Sequence, residues 1–356
     1  MKSKKSRLAV IIPAHNEAAI IQSTLKHLVT ALPRRHIYLV DDCSTDRTAD
    51  LARRFIKNIA YHRVCQGKGA AINTAINKWH LADKYDFIMP LDADTYVTKQ
   101  YFSVILNCFR EDFGQTIACI SGRVITQTVN WLTAYRQWEY EIGQTIHKTA
   151  QSYLGGIIVC PGCATVYRSA IFKTLAFPTH SLAEDMDLTF AIHRRHLGKI
   201  VYEGRAFIHT QDPNTFKDFV RQIDRWYIGL WQCITKYNIP WEGQMLDLEV
   251  AVMASEGIFS GLIFMAILVL APFSLALNPI FILIPLLIDI ALFLTPSIIF
   301  ANLRHRQSPL IRYIAHFYFL RVVSSLIFFK SFVKVMLNWE RSMPWFSPHR
   351  YQLDPH

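Results

Sequence analysis

Residues 8–17, LAVIIPAHNE, carry five consecutive apolar side chains, then a proline, then His15, Asn16 and Glu17. Five uncharged residues rich in Val and Ile have the length and branching of a strand buried on both faces, and Pro13 cannot continue a helix. The pattern recurs downstream. Residues 17–32 place Ile20, Ile21, Leu25 and Leu28 at helical spacing, and 37–40 is a second apolar strand. Residues 46–55 return as a helix, 67–79 set Ala71, Ile72, Ala75 and Ile76 on one helical side, and 87–91 (FIMPL) is a further strand. This alternation predicts an α/β, Rossmann-like, mostly parallel sheet with helices on both faces, whose ligands bind beyond the carboxyl ends of the strands. The polar residues do follow the strands: His15 and Glu17 the first, Asp41 and Asp42 the second, Asp92 and Asp94 the FIMPL run.

Composition excludes a disordered chain and a small disulfide scaffold. The 356 residues are 51% hydrophobic and 18% charged, greasier than an ordinary soluble chain, with a net charge of +11. The basic residues gather at the start (Lys2, Lys4, Lys5, Arg7) and around the apolar segments near the end, a distribution that suits membrane lipid headgroups better than nucleic acid. No signal peptide or N-terminal span is expected, because the basic start runs straight into the first strand. Seven scattered cysteines, an odd number, read as reduced thiols in the cytosol. Only Cys160-Pro-Gly-Cys163 has redox or metal spacing; without a second ligand pair it reads as two small residues flanking a turn.

Composition changes near residue 240, which divides the chain into a cytosolic part, 1–240, and a membrane region, 241–356. Residues 257–288 hold no charge, and these 32 residues exceed the roughly 20 needed to cross a bilayer. With a break at Asn278-Pro279, spans are expected at about 257–277 and 279–301. A third apolar segment, 311–337, is interrupted by Arg312, His316, Arg321, Lys330 and Lys334, so it either crosses packed against the others or lies in the interface. Arg304, Arg306 and Arg312 place the intervening loop in the cytoplasm by the positive-inside bias, giving a multi-pass inner-membrane chain. Asp289 inside the second span calls for a polar path or a partner such as Arg321. Trp226, Tyr227, Trp231 and Trp241 read as one aromatic cluster ahead of the membrane.

Asp92-Ala-Asp94 puts two carboxylates on alternate positions after a strand, where they converge. Close carboxylates repel unless a cation sits between them, and a sparsely held Mg²⁺ or Mn²⁺ completes its shell with phosphate oxygens. Lys68, within Gln66-Gly67-Lys68-Gly69, adds a cation in a loop that lets backbone approach a ligand. A Walker loop and a G-x-G-x-x-G after the first strand are both absent, which disfavours an ATPase or a dinucleotide enzyme. Asp185 opens an acidic helix start in AEDMDLTFAIHRR, with Leu188, Phe190 and Ile192 inside; charging of a helix N-terminus explains it equally well.

IIPAHNE (11–17), VDDCSTD (40–46), GKGAAIN (67–73), LDADT (91–95), GCATVYR (162–168), AED (183–185) and QIDRW (222–226) occur in the order found in family 2, GT-A type glycosyltransferases. The chain resembles that family over about residues 7–240. It looks most similar to the membrane-embedded processive branch of cellulose, hyaluronan and poly-N-acetylglucosamine synthases, through QIDRW and the tail 339–350 (WERSMPWFSPHR). It departs from them in its expected lack of N-terminal spans and its smaller membrane part. The resemblance implies that Pro13, His15, Glu17, Asp41 and Asp42 line a nucleotide pocket with Lys68 near it. Asp92 would contact the nucleotide and share an Mg²⁺ or Mn²⁺ with Asp94, and Asp185 would be the general base. Gln222, Arg225 and Trp226 would hold the diphosphate and the acceptor end. The implied reaction is inverting transfer from a UDP-sugar, UDP-N-acetylglucosamine among them, to a growing polysaccharide, with partner subunits or a homo-oligomer. The alternatives are transfer of one sugar to a lipid acceptor such as polyprenyl phosphate or diacylglycerol, and a non-catalytic nucleotide-binding membrane scaffold.

Overall fold

The computed structural model describes residues 6–278, 280–304 and 310–337. Seven strands, β1 (Ser6–Ala14), β2 (Ile37–Asp42), β3 (Asn58–His62), β4 (Tyr85–Pro90), β5 (Ile117–Thr126), β6 (Thr165–Arg168) and β7 (Lys199–Thr210), form one sheet in the order β3-β2-β1-β4-β6-β5-β7. Pairing is parallel at β2/β3, β1/β2, β1/β4 and β5/β7, and β6 alone runs antiparallel to both its neighbours. The mostly parallel α/β expectation therefore holds.

The apolar run in β1 follows from its central place. Val10 and Ile12 enter the core layer that receives Ile21, Leu25 and Leu28 of helix Ile21–Ala31, while Ala9 and Ile11 enter the opposite layer with Ala71, Ile72, Ala75 and Ile76 of helix Lys68–Lys78. Each such valine, isoleucine or leucine, fully buried, contributes about 1.5–3 kcal/mol. The helix expected from residue 17 starts at Ile21, because the Glu17 carbonyl is taken up by a turn with the N–H groups of Ile20 and Ile21. The helix expected over 46–55 is shorter, Thr48–Arg53. Edge strand β3 escapes the alternation rule because only Ala60 in it is buried.

Helix Phe216–Lys236 leads from the sheet to the helical region. Helix Met245–Leu277 starts twelve residues before the expected span and contains Pro272. Its stretch Met245–Phe273 is the one helix among the described residues long and apolar enough to cross a membrane. The expected second span is divided into Ile280–Asp289, a π-helical turn Ile290–Leu294, and Thr295–Arg304. The third segment is a continuous helix, Ile314–Met336, packed against both helix Met245–Leu277 and helix Phe216–Lys236. The first of these contacts is close: a Cβ on Gly261 would lie 2.7 Å from the Phe329 Cβ and 3.0 Å from the Ser325 carbonyl oxygen. Small residues at such a crossing let helix backbones approach. Asp289 pairs with Arg321 at 2.8 Å, one of the partners the sequence allowed. Asp224 of QIDRW pairs with Lys330 at 2.9 Å and accepts from Ser331.

The four aromatic residues do not form one cluster. Trp231 packs against Phe328 and Phe332, Tyr227 against Phe328, Trp226 beneath an arginine described below, and Trp241 stands 82% exposed. Lys2, Lys4, Lys5, Pro279, Arg306 and the tail 339–350 lie outside the described residues.

Candidate active site

Because β1, β2 and β4 are parallel and in register (Ala14 beside Asp41, Ile11 beside Pro90), the residues that follow them emerge at one edge of the sheet. Pro13 is buried within β1 and faces Val40 across the pair. His15 is half-buried, its Nδ1 2.7 Å from the Asp42 carbonyl oxygen. Buried Glu17 ties the loop after β1 to the loop after β2 through its N–H, which donates to Thr48 Oγ1. Asp41 accepts from the Ser44 N–H at 2.8 Å. Asp42 is fully buried and accepts from the Gln66 N–H at 2.9 Å and the Gly67 N–H at 2.8 Å, with His62 Nδ1 at 2.6 Å. Its charge is thus spent on fixing the loop that leads into Lys68.

Lys68 opens helix Lys68–Lys78 and reaches across the edge. Its Nζ lies 2.6 Å from Asp92 Oδ1 and 3.2 Å from Glu184 Oε1. Burial alone would pull the ammonium's pKa down, but Asp92, Glu184 and Asp185 together hold it above the ordinary lysine value. The GCA segment completes this cluster through a residue without a side chain: a Cβ on Gly162 would lie 2.9 Å from Lys68 Nζ. Asp185, in the first turn of helix Glu184–Arg194, accepts from the Gly162 N–H at 3.1 Å and the Met186 N–H at 2.8 Å. Burial, with the neighbouring Glu184 charge adding to it, raises the Asp185 carboxyl above the ordinary carboxylate range; Lys68 and the two N–H groups only partly oppose this. Cys163 marks how close these groups come. Burial pushes its thiol well above the ordinary value, and the charges of Asp92, Asp94 and Asp185 add to the effect while Lys68 opposes it.

The two carboxylates of Asp92-Ala-Asp94 take different partners, where convergence was expected. Asp92 turns to Lys68, whereas buried Asp94 has the hydroxyls of Thr95 at 3.3 Å and Thr210 at 3.4 Å. Beyond Thr210 lies Asp212, a buried carboxyl at the end of β7 that sequence reasoning did not single out. Burial raises its pKa; Arg136 and the hydroxyls of Thr126 and Tyr140 oppose this, and the Asp94 charge adds to it. Two buried carboxylates at one edge of the sheet offer the oxygen donors a divalent cation takes, so Asp94 and its surroundings fit an Mg²⁺ or Mn²⁺.

QIDRW splits in the same way. Arg225 donates to the Leu182 carbonyl at 2.8 Å, directly before Glu184 and Asp185. Gln222 and Trp226 instead meet Arg136, which donates to Gln222 Oε1 at 2.9 Å and lies 4.8 Å over the Trp226 ring. Arg136 thereby links QIDRW to Asp212. Its only sequence signal is an Arg with Glu139 three residues on in helix Trp131–Ile142, and that pattern is too common to single it out.

Cys43 and Cys65 correct the expectation of reduced thiols, for they are joined in a disulfide; the other five cysteines are free. Among the described residues, His15, Cys43 and Cys65 are the one His/Cys/Asp/Glu trio whose ligating atoms all lie within 4.8 Å. Cys160 and Cys163 are not joined to each other and flank a turn closed by the Ala164 N–H on the Pro161 carbonyl.

The family model for glycosyl transferase family 2 matches residues 9–175. The hyaluronan synthase of Streptococcus pyogenes is 29% identical over 245 residues, 62% of this chain and 56% of that protein. The poly-beta-1,6-N-acetyl-D-glucosamine synthase of Staphylococcus epidermidis is 25% identical over 229 residues, again 62% of this chain and 54% of that protein. The chain thus spans little more than half the length of these curated relatives. Among solved structures, a mannosyltransferase from Pyrobaculum calidifontis in complex with GDP-Man and Mn²⁺ has the same fold: TM-score 0.61 at 16% identity, covering 95% of this chain and 89% of that one. With the strand-end motifs assembled at one edge of a GT-A-like sheet, residues 9–175 are similar to glycosyl transferase family 2.

Proposed function

We propose that this chain is an inverting, metal-dependent glycosyltransferase of the cytoplasmic membrane that transfers a sugar from a UDP-sugar, with UDP-N-acetylglucosamine one candidate donor, to a growing polysaccharide. The observation that carries this reading is the Lys68 bridge. One ammonium joins Asp92 from the Asp-x-Asp turn to Glu184 beside Asp185, bringing together residues more than ninety positions apart in sequence. Asp185 is the general base that takes the proton from the acceptor hydroxyl as its oxygen attacks the anomeric carbon. A carboxylate whose pKa is raised by burial is a stronger base for that task than an exposed one. The Gly162 and Met186 N–H groups hold its two oxygens in place. Lys68 and Arg225 meet the charge that develops on the departing diphosphate. A divalent ion held by Asp94, with Asp92 and Asp212 at hand, would neutralise the diphosphate when bound.

The relatives' names support a polysaccharide acceptor. The membrane setting draws on helix Met245–Phe273 and on the apolar side chains it leaves uncovered, Phe259, Ile263 and Val269 among them. The basic residues between the later helices support a cytosolic catalytic face. The test is the purified chain in liposomes with Mn²⁺ and a panel of UDP-sugars, with UDP release measured and products sized. A long polymer from one donor is expected. A single-sugar lipid would replace the polysaccharide reading with lipid glycosylation, and no sugar transfer from any donor would overturn the proposal.

A further inference from the structure

Cys43 and Cys65 come from two loops, one after β2 and one after β3, 22 residues apart in sequence, and their Cα atoms lie 5.2 Å apart. That separation is within the range a disulfide needs. The bridge sits on the outside of the nucleotide-facing edge: Cys65 is exposed, Cys43 and His15 are half-buried, and His15 Nδ1 is 4.0 Å from one sulfur and 3.9 Å from the other. Neither sulfur belongs to a hydrophobic core cluster. Cys43 has a φ of +59°, a conformation that favours glycine, so a side chain is kept there against the backbone's preference. The neighbours of Cys65 explain what the bridge reaches. Gln66 and Gly67 give their N–H groups to Asp42, and Lys68 follows directly.

We infer that Cys43 and Cys65 form a reversible thiol–disulfide lock, a site of oxidative modification that sets the order of the loop leading to Lys68. Its functional consequence rests on the donor-binding reading above. In the cytosol assigned by that reading, an exposed disulfide is a reporter of redox state, since structural bridges do not persist there. Closure by a small disulfide such as oxidised glutathione balances in two steps. The Cys65 thiolate attacks one sulfur of the oxidant and expels one glutathione thiolate; the Cys43 thiolate then attacks the Cys65 sulfur of the mixed disulfide and expels the second. Two protons leave the cysteines and end on the two released thiols. Reduction by a dithiol runs the same exchange backwards. Closed, the lock holds residues 65–67 against the loop after β2, so a nucleotide binds a loop that is already ordered; open, binding must order it.

The test compares the full chain treated with diamide and with dithiothreitol, the state of the pair being read by mass spectrometry after alkylation. Hydrogen exchange at the Gln66 and Gly67 amides should slow about tenfold in the oxidised chain, and UDP affinity with Mn²⁺ should rise about tenfold. Cys43→Gly, which suits the φ of that position, and Cys65→Ser should each remove both responses. Equal exchange at Gln66 and Gly67 in chains shown to be fully oxidised and fully reduced overturns the lock, as does a variant that still responds like the parent. So does an equivalent of zinc retained by the reduced chain that shields both thiols from diamide. If UDP binds neither state while exchange still responds, the lock stands and the donor reading falls.

Discussion

Two corners of one sheet edge use acids in opposite ways. At the β2–β3 corner the Asp42 carboxylate is saturated by two loop N–H groups and His62, and its work is to hold a loop. At the β4 corner Asp92 and Glu184 share one ammonium, and Asp185 beside them is left with a raised pKa. A carboxylate whose charge is fully met builds structure; one whose charge is partly met stays ready to take a proton.

Asp185→Asn breaks the second corner most severely. Turnover should fall about 10³-fold while UDP affinity stays within about twofold, read as UDP release and by calorimetry. Retained turnover would erase the difference between the corners. Lys68→Met comes next, with turnover down about 10²-fold. It also carries a pH signature. The base works deprotonated, so activity is present above the Asp185 pKa and lost as pH falls through it, at a pH above the ordinary carboxylate range. Removing the Lys68 charge, which lowers that pKa, should move the acid limb of the kcat profile to higher pH; an unmoved limb would separate Lys68 from Asp185.

Asp42→Asn sharpens the contrast from the other side. It should cost about 2–3 kcal/mol of stability, seen as a lower denaturation midpoint, because an amide meets the loop N–H groups less well than a carboxylate does. Its activity loss should fall on KM more than on kcat. His62→Gln is the mildest change, about 1 kcal/mol with kcat unchanged, since among the described residues the His62 ring hydrogen-bonds to Asp42 and Thr74 Oγ1.

Much of this contrast was legible in the sequence. The β1 run and FIMPL announce strands because a central parallel strand is apolar on both faces, and the acids after them mark the edge. For Asp289 the sequence offered a polar path, a partner such as Arg321 or another helix's backbone, and the fold takes the arginine. The meeting of Lys68 with Glu184 and Asp185 was not readable from local pattern, since nothing in GKGAAIN or AED encodes a distance; only the order of the seven motifs pointed to a shared site. Asp212 and Arg136 were missed because β5, β6 and β7 mix polar and apolar residues and hide the strand whose end carries Asp212. The cysteine reading failed for Cys43 and Cys65 because it weighed compartment and count, whereas pairing depends on two strand ends that lie side by side only in the folded sheet.

The central claim is that acids at this edge hold a divalent ion and, through it, a nucleoside diphosphate. Titration of UDP into the parent chain and Asp94→Asn, each with Mn²⁺ and again with EDTA, tests it most directly. The account predicts Mn²⁺-dependent binding in the parent chain, abolished by EDTA and weakened at least about tenfold in Asp94→Asn. Equal UDP affinity in all four titrations would contradict it.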